Sequence, residues 1–175
     1  MRIAFVLLLL AAALAACKKK EPETPVGVSD RPGPSVPLDT PIKYVFDSLD
    51  ERPVSSDAMH GKPTVLAFVT TGDLTGQAQV DYLVAMAKND KEKVNYALIA
   101  LHPRREIILV DTYVQTLKVE FPVALADAAA MGDKGPFGEI PAVPTVIVLD
   151  REGRIVWKHT GLAKSDELRA HMHGL

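Results

Sequence analysis

The run from Thr64 to Thr70 (TVLAFVT) limits the fold more than any other stretch of this chain. A strand with one wet face alternates apolar and polar side chains, and this run does not alternate. It therefore predicts a central strand covered on both faces. Val94 to Leu101 (VNYALIAL) has the same character and predicts a second buried strand. Between them, from about Leu74 to Asn89, the apolar positions Leu74, Ala78, Val80, Leu83, Val84 and Ala87 largely follow helical spacing. Glu106 to Lys118 is helical by the same test, with Ile107, Val110, Val114 and Leu117 on one face. Tyr44 to Phe46 and Phe121 to Leu125 read as short strands. Leu49 to Lys62 is rich in turn residues, with one helical turn expected after Ser55 or Ser56.

Toward the C-terminus, Val143 to Leu149 (VPTVIVL) and Arg154 to His159 (RIVWKH) read as strands. Asp150-Arg151-Glu152-Gly153 joins them as a hairpin-type turn. Ser165 is expected to cap a last helix, with Asp166 and Glu167 in its first turn complementing the dipole. Leu168 and Met172 would face inward. Strand-helix alternation that closes on a hairpin and a helix predicts an α/β sandwich with a mixed sheet.

A length of 175 residues suits one domain and a modest extra segment. That segment is N-terminal. MRIAFVLLLLAAALAAC has one positive charge, Arg2, then an apolar run from Ile3 to Ala16. This is a secretory signal pattern, too short to span a bilayer. Leu14-Ala15-Ala16-Cys17 resembles a bacterial lipobox, and Cys17 is the only cysteine. Residues 1–16 are thus expected to be a lipoprotein signal peptide, with Cys17 acylated by enough hydrocarbon for stable anchoring. Lys18-Lys19-Lys20 would lie against anionic headgroups, each adding on the order of 1 kcal/mol, or simply start a solvated linker. Residues 17–41 contain Pro22, Pro25, Pro32, Pro34, Pro37 and Pro41 and little to bury. They read as a semi-extended tether, which leaves 42–175 as the globular domain. The expected location is the cell envelope, lipid-anchored on the periplasmic side. Lys18, not being an aspartate, points to the outer membrane under the sorting rule of some Gram-negative bacteria. The apolar and charged fractions, 47% and 24%, are ordinary for a globular protein. A net charge of −2 gives no electrostatic case for binding nucleic acid.

Three stretches resemble a known family. Asp47-Ser48-Leu49-Asp50 through Gly61-Lys62-Pro63 is similar to a lead-in where a short hairpin precedes a GKP and the central strand. Leu66-Ala67-Phe68-Val69 runs into the turn where that family carries W-C-x-x-C. Ile140 to Val156 (IPAVPTVIVLDREGRIV) is close to its "VPT…LID..G.IV" segment. From about Tyr44 to the C-terminus, the chain thus resembles the membrane-anchored thiol:disulfide oxidoreductases of the TlpA-like group and their redoxin relatives. The resemblance implies a thioredoxin-like three-layer α/β sandwich, a central mixed β-sheet flanked by helices. It also implies a cis bond between Val143 and Pro144, with Pro144 facing the active-site turn.

The chain departs from this family where the chemistry lies. Aligned without a gap from Phe68 to Leu83, Asp73 stands at the attacking cysteine and Gly76 at the resolving one. Disulfide exchange needs a sulfur nucleophile, and peroxidase chemistry needs a cysteine thiolate. Cys17 cannot substitute if it is lipidated and beyond the tether. Neither activity is expected, and no cofactor or metal is implied. Asp73 is instead expected to cap the helix, accepting from the amides near Thr75 or Gly76. It sets a fixed negative charge where a thiolate would have been. The neighbouring motif shows no second carboxylate or histidine as an acid–base partner.

Other residues carry less. His171-x-His173 is two histidines, which do not make a metal site, and both are expected at the surface. Arg104-Arg105, after His102-Pro103, reads as a solvated helix start. Ser55 and Ser56 lack a G-x-S-x-G elbow. Asp133 to Gly138 is a loop that either borders the groove or is plain connection.

Two functions follow. One is a redox-inactive thioredoxin-like envelope lipoprotein that binds a polypeptide partner. Its groove would be rimmed by Gly72, Asp73, Leu74, Thr75, Gly76, Val143 and Pro144, and would take an extended segment by strand addition. The other is a structural or assembly lipoprotein that uses the fold as a scaffold. An enzyme of unrecognised chemistry stands third. The membrane, reached through Cys17, and a protein or peptide are the expected partners.

Overall fold

Continuous apolar runs become buried strands here because the sheet is covered on both sides. A computed structural model describes residues 39–126 and 135–175. Cys17, the signal segment, the tether up to residue 38, and Asp133 and Lys134 lie outside the described residues. The strands are β1 (Val45–Ser48), β2 (Val54–Ser55), β3 (Thr64–Val69), β4 (Asn95–Ala100), β5 (Val123–Leu125), β6 (Thr145–Leu149) and β7 (Ile155–Thr160). The helices are α1 (Leu74–Asp90), α2 (Ile107–Thr116), preceded by a 3-10 turn at Arg104–Glu106, and α3 (Ser165–Met172). The sheet order is β2-β1-β5-β4-β3-β6-β7.

β3 lies inside the sheet, and all six of its residues are buried. It runs parallel to β4, from Thr64 opposite Asn95 to Val69 opposite Ala100. It runs antiparallel to β6, from Thr64 opposite Leu149 to Phe68 opposite Thr145. The alternation of the pleat divides the core in two. Val65, Ala67, Val69, Leu98, Ala100, Val146 and Val148 face a layer made by Val80, Leu83 and Met86 of α1, Val110 of α2 and Leu168 of α3. Leu66, Phe68, Ala97, Ile99, Ile147 and Leu149 face the other way. All three described helices therefore share one face. The steps β3–α1–β4 and β4–α2–β5 both move the same way across the sheet. Right-handed crossovers then put both helices on one side. The third layer is made by Ile42, Tyr44, Val54, Met59, Phe137 and Ile140.

Some boundaries differ from the sequence expectations. The first strand begins at Val45, and Tyr44 is buried beneath the sheet against Phe137, ring centroids 5.2 Å apart. The segment 49–62 holds β2, which closes a hairpin with β1. A turn follows, in which Met59 N donates to Ser55 O. Ser165 is the first residue of α3, and Lys164 takes the cap position without a side-chain cap bond. The hairpin turn at Asp150–Gly153 is present: the Asp150 carboxylate accepts from Glu152 N, Arg154 N and Arg154 Nε at 3.0, 2.8 and 2.7 Å. Gly153 supplies the positive φ, +85°, that the turn requires.

One buried polar side chain ties the helix layer together. Gln79, fully buried on α1, accepts from Ala163 N at 2.7 Å and donates to Ala163 O at 3.2 Å. It pairs both main-chain groups of the segment that leads into α3.

Candidate functional site

The site forms where β3 and β4 end. Val69 O accepts from Leu101 N at 2.8 Å, so the two strands leave the sheet together. Beyond Val69 the chain turns through Thr70, Thr71 and Gly72 into α1. Asp73 holds the N-cap with an extended backbone, φ −97° and ψ 118°. Its carboxylate accepts from Thr75 N at 3.3 Å and Gly76 N at 2.7 Å. Two of the free amides of the first turn are satisfied in this way. A Cβ built on Gly76 would lie 3.1 Å from Oδ2 of Asp73, so positions 73 and 76 point at each other. Leu74 is 81% exposed and Gly72 is open to solvent.

The opposite rim comes from the start of β6. The Val143–Pro144 bond is cis, the isomer the resemblance implies. Phe68 pairs with Thr145, which sets Pro144 beside the end of β3. Pro144 O accepts from Gly161 N at 2.8 Å. Thr145 Oγ1 donates to Ala142 O at 2.7 Å and lies 3.1 Å from Thr160 Oγ1. Among the described residues, neither the N–H nor the C=O of Val143 has a backbone partner. The 135–138 stretch is more than plain connection. Phe137 is buried among Tyr44, Phe46 and Phe68, and Lys158 Nζ donates to Phe137 O at 3.0 Å and to Glu139 O. Burial pushes the Lys158 ammonium below its usual range, against the pull of the nearby Glu139 carboxylate.

The neighbouring motif holds no histidine or second carboxylate, but the fold brings His102 in from the end of β4 to this turn. His102, one residue beyond Leu101, packs against it with only 12% of its side chain exposed. Thr71 N donates to His102 Nε2 at 3.0 Å, and Thr71 Oγ1 lies 3.2 Å from the same nitrogen. His102 Nδ1 lies 2.8 Å from Glu106 Oε2. The spacing His102 to Glu106, four residues across a helix start, was the available sequence signal. So was the position of His102 just past the carboxyl end of a strand parallel to β3, where open α/β sheets gather functional side chains. The basic pair beside it divides: Arg104 bridges to Asp47 on β1, and Arg105 lies 3.6 Å from Glu106.

Tyr113 of α2 faces the same helix. Its hydroxyl is buried without a partner, and its pKa is pushed up to about 12 by burial, with the charges of Asp81 and Asp73 adding to the shift. His171 and His173 do not act as a pair. His171 stacks on Trp157, ring centroids 4.6 Å apart, and His159 stacks on the same ring at 5.2 Å. No group of three or more His, Cys, Asp or Glu side chains is placed to hold a metal among the described residues. An open cleft of about 390 Å³ lies at the other pole of the sheet, lined by Lys62, Lys88, Tyr96 and Phe121, away from Asp73 and Pro144.

No family model matches the sequence, and no curated protein matches it either. Solved structures do resemble the fold. A DsbF homologue from Corynebacterium diphtheriae superposes with a TM-score of 0.66 at 19% identity, covering 78% of this chain and 87% of its own. A Mycobacterium tuberculosis DsbF gives 0.63 at 21% identity, covering 79% and 97%. A thioredoxin-family thiol:disulfide interchange protein from Chlorobium tepidum gives 0.63 at 19%, covering 75% and 92%. At such identities the likeness concerns architecture, and it shows a thioredoxin-like fold.

Proposed function

We propose that this chain is a redox-inactive thioredoxin-like envelope lipoprotein that binds an extended polypeptide along the groove between Asp73 and Pro144. The observation that carries the reading is the main chain of Val143, which has no backbone partner among the described residues, on the rim opposite the α1 turn. An extended segment laid there pairs with Val143 by strand addition, and exposed Leu74 offers apolar contact on the other rim. One structural neighbour, the Chlorobium tepidum protein, is named as a thiol:disulfide interchange protein. This chain has Asp73 and Gly76 where that chemistry needs sulfur, and Cys17 is its only cysteine. Signal-peptide cleavage, acylation at Cys17 and placement in the envelope rest on the lipobox-like sequence. Mass spectrometry of the mature N-terminus tests them.

The binding test is a pull-down from envelope extracts. Wild type is expected to retain a defined partner, and Thr75→Trp is expected to lose it while keeping its melting temperature. Equal recovery by both proteins would move the contact elsewhere. The exposed side chains Ile108 and Leu109 on α2 favour the second reading, a scaffold that docks through another surface.

A further inference from the structure

We propose that His102 is a proton-operated latch on the α1 turn, locking the groove when neutral and releasing it when charged. The consequence for binding rests on the groove reading above; the latch itself does not. An amide N–H can only donate. The 3.0 Å contact from Thr71 N therefore makes His102 Nε2 an acceptor and puts the ring proton on Nδ1. Nδ1–H then donates to Glu106 Oε2 at 2.8 Å. The Nε2 lone pair is engaged by the amide, so the Thr71 hydroxyl at 3.2 Å shares an acceptor already in use. That geometry suits a positioning residue and not a base that activates Thr71.

Protonation has one place to act. A second ring proton goes onto Nε2 and faces the Thr71 N–H, donor against donor, so that hydrogen bond is lost. The imidazolium keeps its Glu106 partner, now as an ion pair, and the break falls on the Thr71 side. The turn Thr71–Asp73 then keeps only the Thr71 hydroxyl, 3.2 Å from Nε2 and able to accept from it, and its main chain is no longer pinned to the ring. The charged groups around the ring, among the described residues, are Glu106, Arg105 against Glu106, Arg104 paired with Asp47 on β1, and Asp73 two residues beyond Thr71. The β6 rim adds Val143 and Pro144, which carry no charge. Imidazoles as a class change charge between about pH 5 and 8, so a titration across that range is the way to load the ring and loosen the groove.

The test is NMR on the free, full-length chain, titrated from pH 8 to 5. The His102 ring nitrogens are expected to show Nε2 unprotonated at high pH. The Thr71 amide should move toward a free-amide shift on the same curve as the ring. Its exchange, corrected for the intrinsic pH effect, should speed up about tenfold, as for one lost hydrogen bond. In His102→Gln, which keeps an acceptor but does not titrate, the Thr71 signal should be independent of pH. If that variant misfolds, Glu106→Gln serves, and its transition should move to lower pH. A Thr71 amide that stays unchanged while His102 titrates overturns the latch, as does Nε2 protonated at pH 8. A responsive Thr71 with no partner binding at any pH would sink the groove reading and leave the latch standing.

Discussion

At Asp73 one carboxylate serves the start of a helix. It caps two amides of α1, and its removal costs the helix start. Asp73→Ala is expected to lower stability by about 1 kcal/mol, a drop of roughly 3–4 °C in a thermal melt for a domain of this size. Asp73→Asn should retain most of that stability. Asp150 carries a second carboxylate effect. Burial alone would raise its pKa, but the Arg154 and Glu152 amides and the Arg154 guanidinium offset this and hold it below the usual 3.8. A folded value below the unfolded one stabilises the protein above pH 3.8, and that contribution is lost as pH falls through the depressed folded value. Wild type should therefore lose the Asp150 contribution as pH falls below about 4. Asp150→Asn should be less stable at pH 7 and lose less on acidification, read from urea midpoints at each pH.

Among the elements, β3, β4 and β6 were legible because unbroken apolar runs leave few alternatives, and α1 because its apolar stripe is long. The Asp73 cap was legible too, since a cap is local. His102 was not. Its partner Thr71 lies 31 positions earlier, and the two meet because β3 and β4 are neighbours in the sheet, a fact that no short window contains. The same holds for Gln79, a polar residue inside an apolar stripe whose partner Ala163 is 84 positions away. Ser165 was misplaced by one residue because Lys164, with no capping side chain, took the cap position. The Gln79 clamp predicts its own cost. Gln79→Leu keeps the volume but strands a buried N–H and C=O of Ala163, and should destabilise by about 2–4 kcal/mol. Trp157 fluorescence, in contact with α3 through His171, should report early loosening of that helix in the variant.

For the whole molecule, the thioredoxin-like fold can be tested apart from the redox chemistry proposed to be missing from it. A Cβ at position 76 would meet the side chain of residue 73, so cysteines at the two positions would be neighbours. Asp73→Cys/Gly76→Cys is therefore expected to form an internal disulfide and to gain measurable insulin reduction, while wild type reads zero. Turnover by wild type would refute the redox-inactive reading. The way the chain enters the fold has a further effect. Ile42 N donates to Gly153 O in the β6–β7 turn, and β6 runs from Pro144 at the opposite end of the sheet down to that turn. A tether ahead of Ile42 would therefore load the β6–β7 turn end of the domain, while the proposed groove lies at the other end of β6. Anchoring and peptide capture, the two halves of the proposed function, would then make no competing demands on the same atoms.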